Sequence, residues 1–301
     1  MYELYTISFD DTRYPQCLRT IAQPPSLLYI RGMLPPPDAT HLAVVGTRKT
    51  TPYGKEITER LTMAAAQAGA VIVSGLALGV DGIAHAAALK VGGQTIAVLG
   101  SGIDDNSIYP RANYKLAQEI LQGGGALISE QQPGTKPMQY HFPQRNRIIA
   151  GLSQAVLVTE GTFKSGSLIT AKLALEQGRD VFACPHNIFT PRGEGPNYLI
   201  QQGAYPVCSA QDLLDALHLT APTRRVMPTT HTAPTKQTTL ATHLRTGLEQ
   251  KILDACTEES CTIEQLVEKL NCSPAELYAA VSMLELDGSV HIMNGVVLVT
   301  R

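Results

Sequence analysis

Six short runs of the sequence have a continuously apolar centre: HLAVVG (41–46), AVIVSG (70–75), QTIAVLG (94–100), GALISE (125–130), QAVLVTE (154–160) and RDVFACP (179–185). Each is followed by a helix-length stretch that is amphipathic or alanine-rich. Strands with one wetted face alternate polar and apolar residues; strands covered on both faces do not. Continuous apolar strands alternating with helices therefore predict an α/β fold, an extended Rossmann-like, doubly wound and mostly parallel sheet spanning residues 41–219. Residues 1–40, with the proline-bracketed PPSLLYIRGMLPPP, are expected to form a strand-like lead-in too short to be a domain.

Beyond this block the composition changes. Residues 220–244 are rich in Thr and Pro with little apolar content, which predicts a flexible linker. Residues 245–301 read as three helices followed by a hairpin turned at Asn294-Gly295, the order of a winged helix. The net charge of −2 is unevenly spread: 17 basic and 17 acidic residues in 1–219, 3 basic and none acidic in 220–244, and 4 basic against 9 acidic in 245–301. A duplex-DNA reader needs cations against phosphate, so the acidic end segment is expected to contact protein or to regulate. No apolar run reaches the roughly 18 residues of a membrane span, and the first residues carry no export signal, so a cytoplasmic protein without membrane contact is expected. Six cysteines without a C-x-x-C pair read as reduced thiols.

In an open parallel sheet, ligands bind beyond the carboxyl ends of the strands, where loops meet helix N-termini. Four such loops are glycine- and hydroxyl-rich: GTRKTT (46–51), SGLALGVD (74–81), GSG (100–102) and EGTFKSGS (160–167). With Arg48 and Lys164 among them, they predict an anion site. The fingerprint of a dinucleotide site, G-x-G-x-x-G, is absent, as is the G-x-x-x-x-G-K-[ST] of an ATPase. No cofactor, metal or catalytic residue is expected. In FPQRNRIIAGLS, Arg145, Asn146 and Arg147 are expected in the first turn of a helix, where they oppose its dipole unless an anion sits among them. They read as phosphate clamps beside Phe142 as a base-stacking platform; the alternative for each arginine is an ion pair with Glu130 or Glu160.

VGTRKTTPYG, SGLALGVDGIAHAAAL, TIAVLGSGID, FPQRNRIIAGLS, SGSLITAKLALEQGR and LIQQGA resemble, in order and spacing, the DprA/Smf family of DNA-processing proteins of bacterial natural transformation. The resemblance runs from about Tyr14 to about residue 207. It implies a homodimer that binds single-stranded DNA and loads a RecA-type recombinase during DNA recombination. By motif it assigns DNA binding to Gly46, Thr47, Arg48, Ser74, Gly75, Gly79, Phe142, Arg145, Asn146, Arg147, Lys164, Ser165, Gly166 and Ser167. Asp81 and His85 match the family's D-x-x-x-H, yet read as a helix N-cap and its neighbour one turn on. Gln139 stands where relatives carry a basic residue, with Lys136 nearby. His186 replaces a usual glycine, at about 1 kcal/mol if φ there is positive. A competing reading is a phosphoribohydrolase-like enzyme with Glu160 as general base.

Overall fold

The computed structural model describes residues 2–36, 38–220, 247–258, 261–270, 272–286, 289–293 and 296–299. The chain divides into two compact units, Met1–Val226 and Met227–Arg301. The first contains, in chain order, β1 (Leu4–Ser8), α1 (Gln16–Arg19), β2 (Leu27–Gly32), β3 (His41–Val45), α2 (Pro52–Gln67), β4 (Val71–Ser74), α3 (Val80–Lys90), β5 (Thr95–Leu99) and α4 (Tyr114–Gln122). It continues through β6 (Ala126–Ser129), α5 (His141–Leu152), β7 (Ala155–Val158), α6 (Gly166–Glu176), β8 (Asp180–Ala183), α7 (Glu194–Gln201), β9 (Tyr205–Pro206) and α8 (Ala210–Ala216).

These strands form one sheet in the order β1-β2-β6-β5-β4-β3-β7-β8-β9. From β3 the chain winds outward through β4 and β5 to β6, then returns to β7 and winds the other way, every neighbour from β6 to β9 parallel. The doubly wound sheet expected from the six apolar runs is thus the observed one. Alternate residues explain why the centres of those runs are apolar at successive positions. Leu42 and Val44 of β3 pack with Leu61 and Ala65 of α2 and Ala84 of α3. Ala43 and Val45 pack on the other face with Ile148 and Ile149 of α5 and Ala171 and Ala174 of α6. The lead-in does more than precede the sheet: β1 and β2 are an antiparallel pair, and β2 runs antiparallel to β6 with Tyr29 opposite Ser129, closing that edge.

Two local expectations change. Helix α5 opens at His141, so Arg145, Asn146 and Arg147 lie in its second turn rather than its first. Pro143 is accommodated inside the first turn, where its missing N–H has no intrahelical acceptor to lose, so the helix starts ahead of it. The dipole penalty, confined to the terminal turn, no longer bears on these arginines. His186 does not occupy a left-handed conformation; among the described non-glycine residues only Leu76 and His218 have positive φ. Its ring hydrogen-bonds the Thr159 carbonyl through Nε2 at 2.7 Å and sits edge-on to Tyr53, with ring centroids 4.9 Å apart. The expected glycine-to-histidine strain is absent.

The second unit contains α9 (Gly247–Glu258), β10 (Cys261–Thr262), α10 (Ile263–Leu270), α11 (Pro274–Leu286), β11 (Val290–Met293) and β12 (Val296–Val299). Its strands pair antiparallel in the order β10-β12-β11 around a core that includes Ile252, Leu266, Val281, Leu284 and Val297. This is a winged helix, with β10 as a third strand that the sequence did not reveal. The expected hairpin turn at Asn294-Gly295 and, apart from Thr220, the expected linker 220–244 lie outside the described residues. Among the described residues, no helix is long and apolar enough to cross a membrane.

Candidate nucleic-acid interface

The winding direction reverses between β3 and β7, which lie side by side. At such a switch point the two following loops turn to opposite faces and leave a crevice at the carboxyl ends of the strands. Here that crevice is a cleft of about 590 Å³. The loop after β3 supplies Gly46, Thr47 and Arg48, helix α5 supplies Phe142, Arg145 and Asn146, and the start of α6 supplies Lys164, Ser165, Gly166 and Ser167. Ten of the sequence-assigned residues therefore line one cavity.

The cations differ in how they are held. Arg48 is exposed, with its guanidinium carbon 5.5 Å from the centre of the Phe142 ring. Lys164 is exposed, and among the described residues neither cation forms a salt bridge. Arg145 is buried: its Nη1 donates to the carbonyls of Gly75, at 2.9 Å, and of Val98, tying α5 to the ends of β4 and β5. Burial pulls its pKa down to about 10, partly offset by the Asp81 carboxylate, so the group remains a cation at neutral pH. Asn146 bridges α5 to α6, donating from Nδ2 to the Gly166 carbonyl at 3.3 Å.

Helix α6 presents its N-terminus to the same cavity. Ser165 occupies the N-cap position, but its hydroxyl accepts from the Thr162 amide at 2.9 Å. The first amides of α6, Gly166 and Ser167, have no intrahelical acceptor and face the positive end of the dipole. The Ser167 hydroxyl is buried and has no hydrogen-bond partner among the described residues. Amides, a buried hydroxyl and two cations that form no ion pair among the described residues are donors of the kind that a phosphate group accepts from.

Tyr109, from the loop after β5, lines the cleft and extends the Phe142 surface, with ring centroids 5.9 Å apart and planes tilted by 46°. Sequence reasoning did not assign Tyr109, since no spacing rule marks a loop aromatic. Gln139 also lines the cleft, while Lys136 is exposed outside it.

Four assigned residues do not line this cavity. Ser74 is fully buried and donates to the Val44 carbonyl at 2.6 Å. Gly75 borders a small adjoining recess with Arg48, Tyr109 and Phe142, and a Cβ there would stand 2.6 Å from the Arg145 guanidinium. Gly79, with φ of 78°, lets the loop before α3 press against the Thr47 carbonyl, where any Cβ would clash. Arg147 turns away. Its Nη2 binds both oxygens of Glu130 at 2.8 and 2.9 Å, and its Nε donates to the Gln23 carbonyl at 2.9 Å. The ion-pair alternative is the observed state of Arg147.

Beneath the cleft, Asp81 is the second residue of α3, not its N-cap, which is Gly79. Its carboxylate accepts from the Gly75 amide at 3.1 Å, and burial raises its pKa against the lowering effect of Arg145. His85, one turn on, shares a hydrogen with Thr95 Oγ1 at 2.7 Å, and burial depresses its pKa to about 3. Glu160 is fully buried and faces the start of α2, accepting from the Thr51 amide at 2.9 Å and the Thr51 hydroxyl at 2.6 Å.

The fold defines a Rossmann-type protein with a winged-helix domain. The chain belongs to the DNA recombination-mediator protein A family, whose model matches residues 5–218, and a DprA winged helix domain model matches 230–295. DNA processing protein DprA of Bacillus subtilis is 47% identical over 213 residues, 70% of this chain and 71% of the relative. Protein Smf of Escherichia coli is 46% identical over 213 residues, covering 71% of this chain and 56% of that protein. The crystal structure of DprA from Streptococcus pneumoniae superposes with a TM-score of 0.65 at 43% identity, over 71% of this chain and 74% of that one. DNA processing protein A of Helicobacter pylori, solved to describe its single-stranded DNA binding mode, gives 0.64 at 33% identity, over 72% and 96%.

Proposed function

We propose that this chain is a non-enzymatic, cytoplasmic protein that binds and protects single-stranded DNA and loads a RecA-type recombinase onto it during natural transformation, acting as a homodimer and without a cofactor or metal. The observation that carries the DNA-binding reading is the switch-point cleft, where unpaired Arg48 and Lys164 flank the amides of α6 and the Phe142–Tyr109 surface. Cations take the backbone phosphates, and the aromatic surface takes bases of any identity. The single-stranded DNA binding described for the H. pylori relative supports the same ligand here. Recombinase loading and the homodimer rest on family resemblance. In this reading the Rossmann-like domain, 41–219, holds the strand, and the winged helix, 245–301, contacts protein. Helix α11 of that unit exposes Tyr278 and Glu276 rather than cations, which supports a protein contact.

The hydrolase alternative needs Glu160 to face a substrate. Both its oxygens are instead occupied by Thr51, and it does not line the cleft. The test is binding of matched single- and double-stranded oligonucleotides across a salt series. Single strands should bind far more tightly, and Arg48→Ala or Lys164→Ala should each reduce the slope of log K against log salt by about 0.7. Unchanged affinity in both variants would sink the reading.

A further inference from the structure

The loop after β8 carries the two most exposed large apolar side chains of the described residues, Ile188 at 79% and Phe189 at 86%. The loop is nonetheless firmly tied. Asn197 clamps it, accepting from the His186 amide at 3.0 Å and donating to the His186 carbonyl at 3.1 Å. The Tyr53 hydroxyl donates to the Pro185 carbonyl at 2.9 Å, and the Gly161 amide donates to the Arg192 carbonyl at 2.8 Å. At the tip, the Phe189 amide donates to Asn187 Oδ1 at 2.9 Å and the Thr190 amide to the Asn187 carbonyl at 3.0 Å. A tied turn that holds two apolar side chains in water contributes nothing to the core, which marks a contact surface.

Its place in the sheet says what it contacts. Gly161 opens the loop that leads to Lys164 and Ser165, so the β8 loop is hydrogen-bonded to the rim of the cleft. Along this same carboxyl edge, four of the six loops from β6 to β8 present an exposed aromatic ring: Tyr140 after β6 and Tyr109 after β5 on one side of β4 and β3, Phe163 after β7 and Phe189 after β8 on the other. Arg192, three residues beyond Phe189, forms no salt bridge among the described residues; the acid nearest it in sequence, Glu194, opens α7. Rings interleaved with cations along one edge match the alternation of base and phosphate in a single strand. The edge from β6 to β8 crosses five strand spacings, about 24 Å, well beyond the cleft alone.

We infer that the Ile188-Phe189 turn is a second nucleobase-stacking station, taking bases of the same single strand after it leaves the cleft toward β8. The inference rests on the proposed single-stranded DNA function and adds to it a site and a direction. Bases stack on the Phe189 ring or over the Ile188 side chain, and Arg192 lies beside the intervening phosphate. Because the backbone of the turn is already tied, little main-chain ordering accompanies binding.

The chain contains no tryptophan, so Phe189→Trp makes the turn its own reporter. Single-stranded DNA of increasing length is titrated while tryptophan emission and the anisotropy of a labelled strand are followed together. Emission should quench at saturation with long strands and not with strands too short to leave the cleft. Phe189→Ala should weaken binding of long strands by about five- to tenfold and leave short ones unchanged. Emission unaltered at full anisotropy saturation, or a Phe189→Ala variant with wild-type affinity at every length, overturns the inference while leaving the cleft's role intact. No binding of any strand by the wild-type chain overturns the reading beneath it, and this inference with it.

Discussion

Arg147 ties α5 to Gln23, in the loop after α1, and to Glu130, just beyond β6. Replaced by alanine, it removes a two-pronged ion pair with Glu130 and a hydrogen bond to the Gln23 carbonyl, in a side chain only 15% exposed. A hydrogen bond involving a charged group is worth about 1.5–3 kcal/mol, and Glu130, at 31% exposure, is partly rehydrated once freed. The net loss is therefore about 2–3 kcal/mol. In a unit of this size each kcal/mol lowers Tm by about 2–4 °C, so the first unit of Arg147→Ala should melt about 4–12 °C earlier. Thermal unfolding of the full chain, followed by circular dichroism with and without single-stranded DNA, measures this. Below the melting range, the variant should keep the wild-type salt slope, because Arg147 lines no part of the cleft. An unshifted Tm with a salt slope reduced by about 0.7 would refute this assignment and restore Arg147 as a phosphate ligand.

Two further outcomes follow from groups beneath the cleft. Glu160→Gln should destabilise the first unit by about 1–3 kcal/mol, read as a lower denaturant midpoint at constant m, with single-stranded DNA affinity unchanged; equal stability would mean that the bonds to Thr51 contribute nothing. His85 has a folded-state pKa near 3 against an ordinary 6.5, so within that window the unfolded chain binds the extra proton. Its contribution is complete above about pH 6.5 and lost as pH falls toward 3, and His85→Gln should flatten the acid limb of stability against pH by up to one proton. A parallel acid limb in the variant would show that His85 titrates normally.

The parallel sheet was legible because burial on both faces erases the polar positions of a strand, leaving a signal no helix rule disputes. The antiparallel hairpin at residues 4–32 was not, since its partner β6 lies almost a hundred residues away and nothing local names it. Helix α5 was placed too late because Pro143 reads as a boundary from sequence, whereas the first turn tolerates it. The cleft itself was legible from the loops after β3 and β7, where glycine, hydroxyls and cations cluster. The partners of the arginines were not. Glu130 competes for Arg147 only once β6 has been placed, and no residue pattern announces a guanidinium that donates to the main chain, as Arg145 does. Strand β10, two residues long, carries no periodicity to read.

The anchoring of Arg145 has a consequence for how capture proceeds. In the proposed DNA-binding reading, a guanidinium fixed by two carbonyls has no rotamers left to surrender to a phosphate, while Arg48 and Lys164 would each lose theirs. The entropy of engagement is concentrated in two side chains that touch little of the scaffold, so evolution or engineering can retune grip there without disturbing the fold.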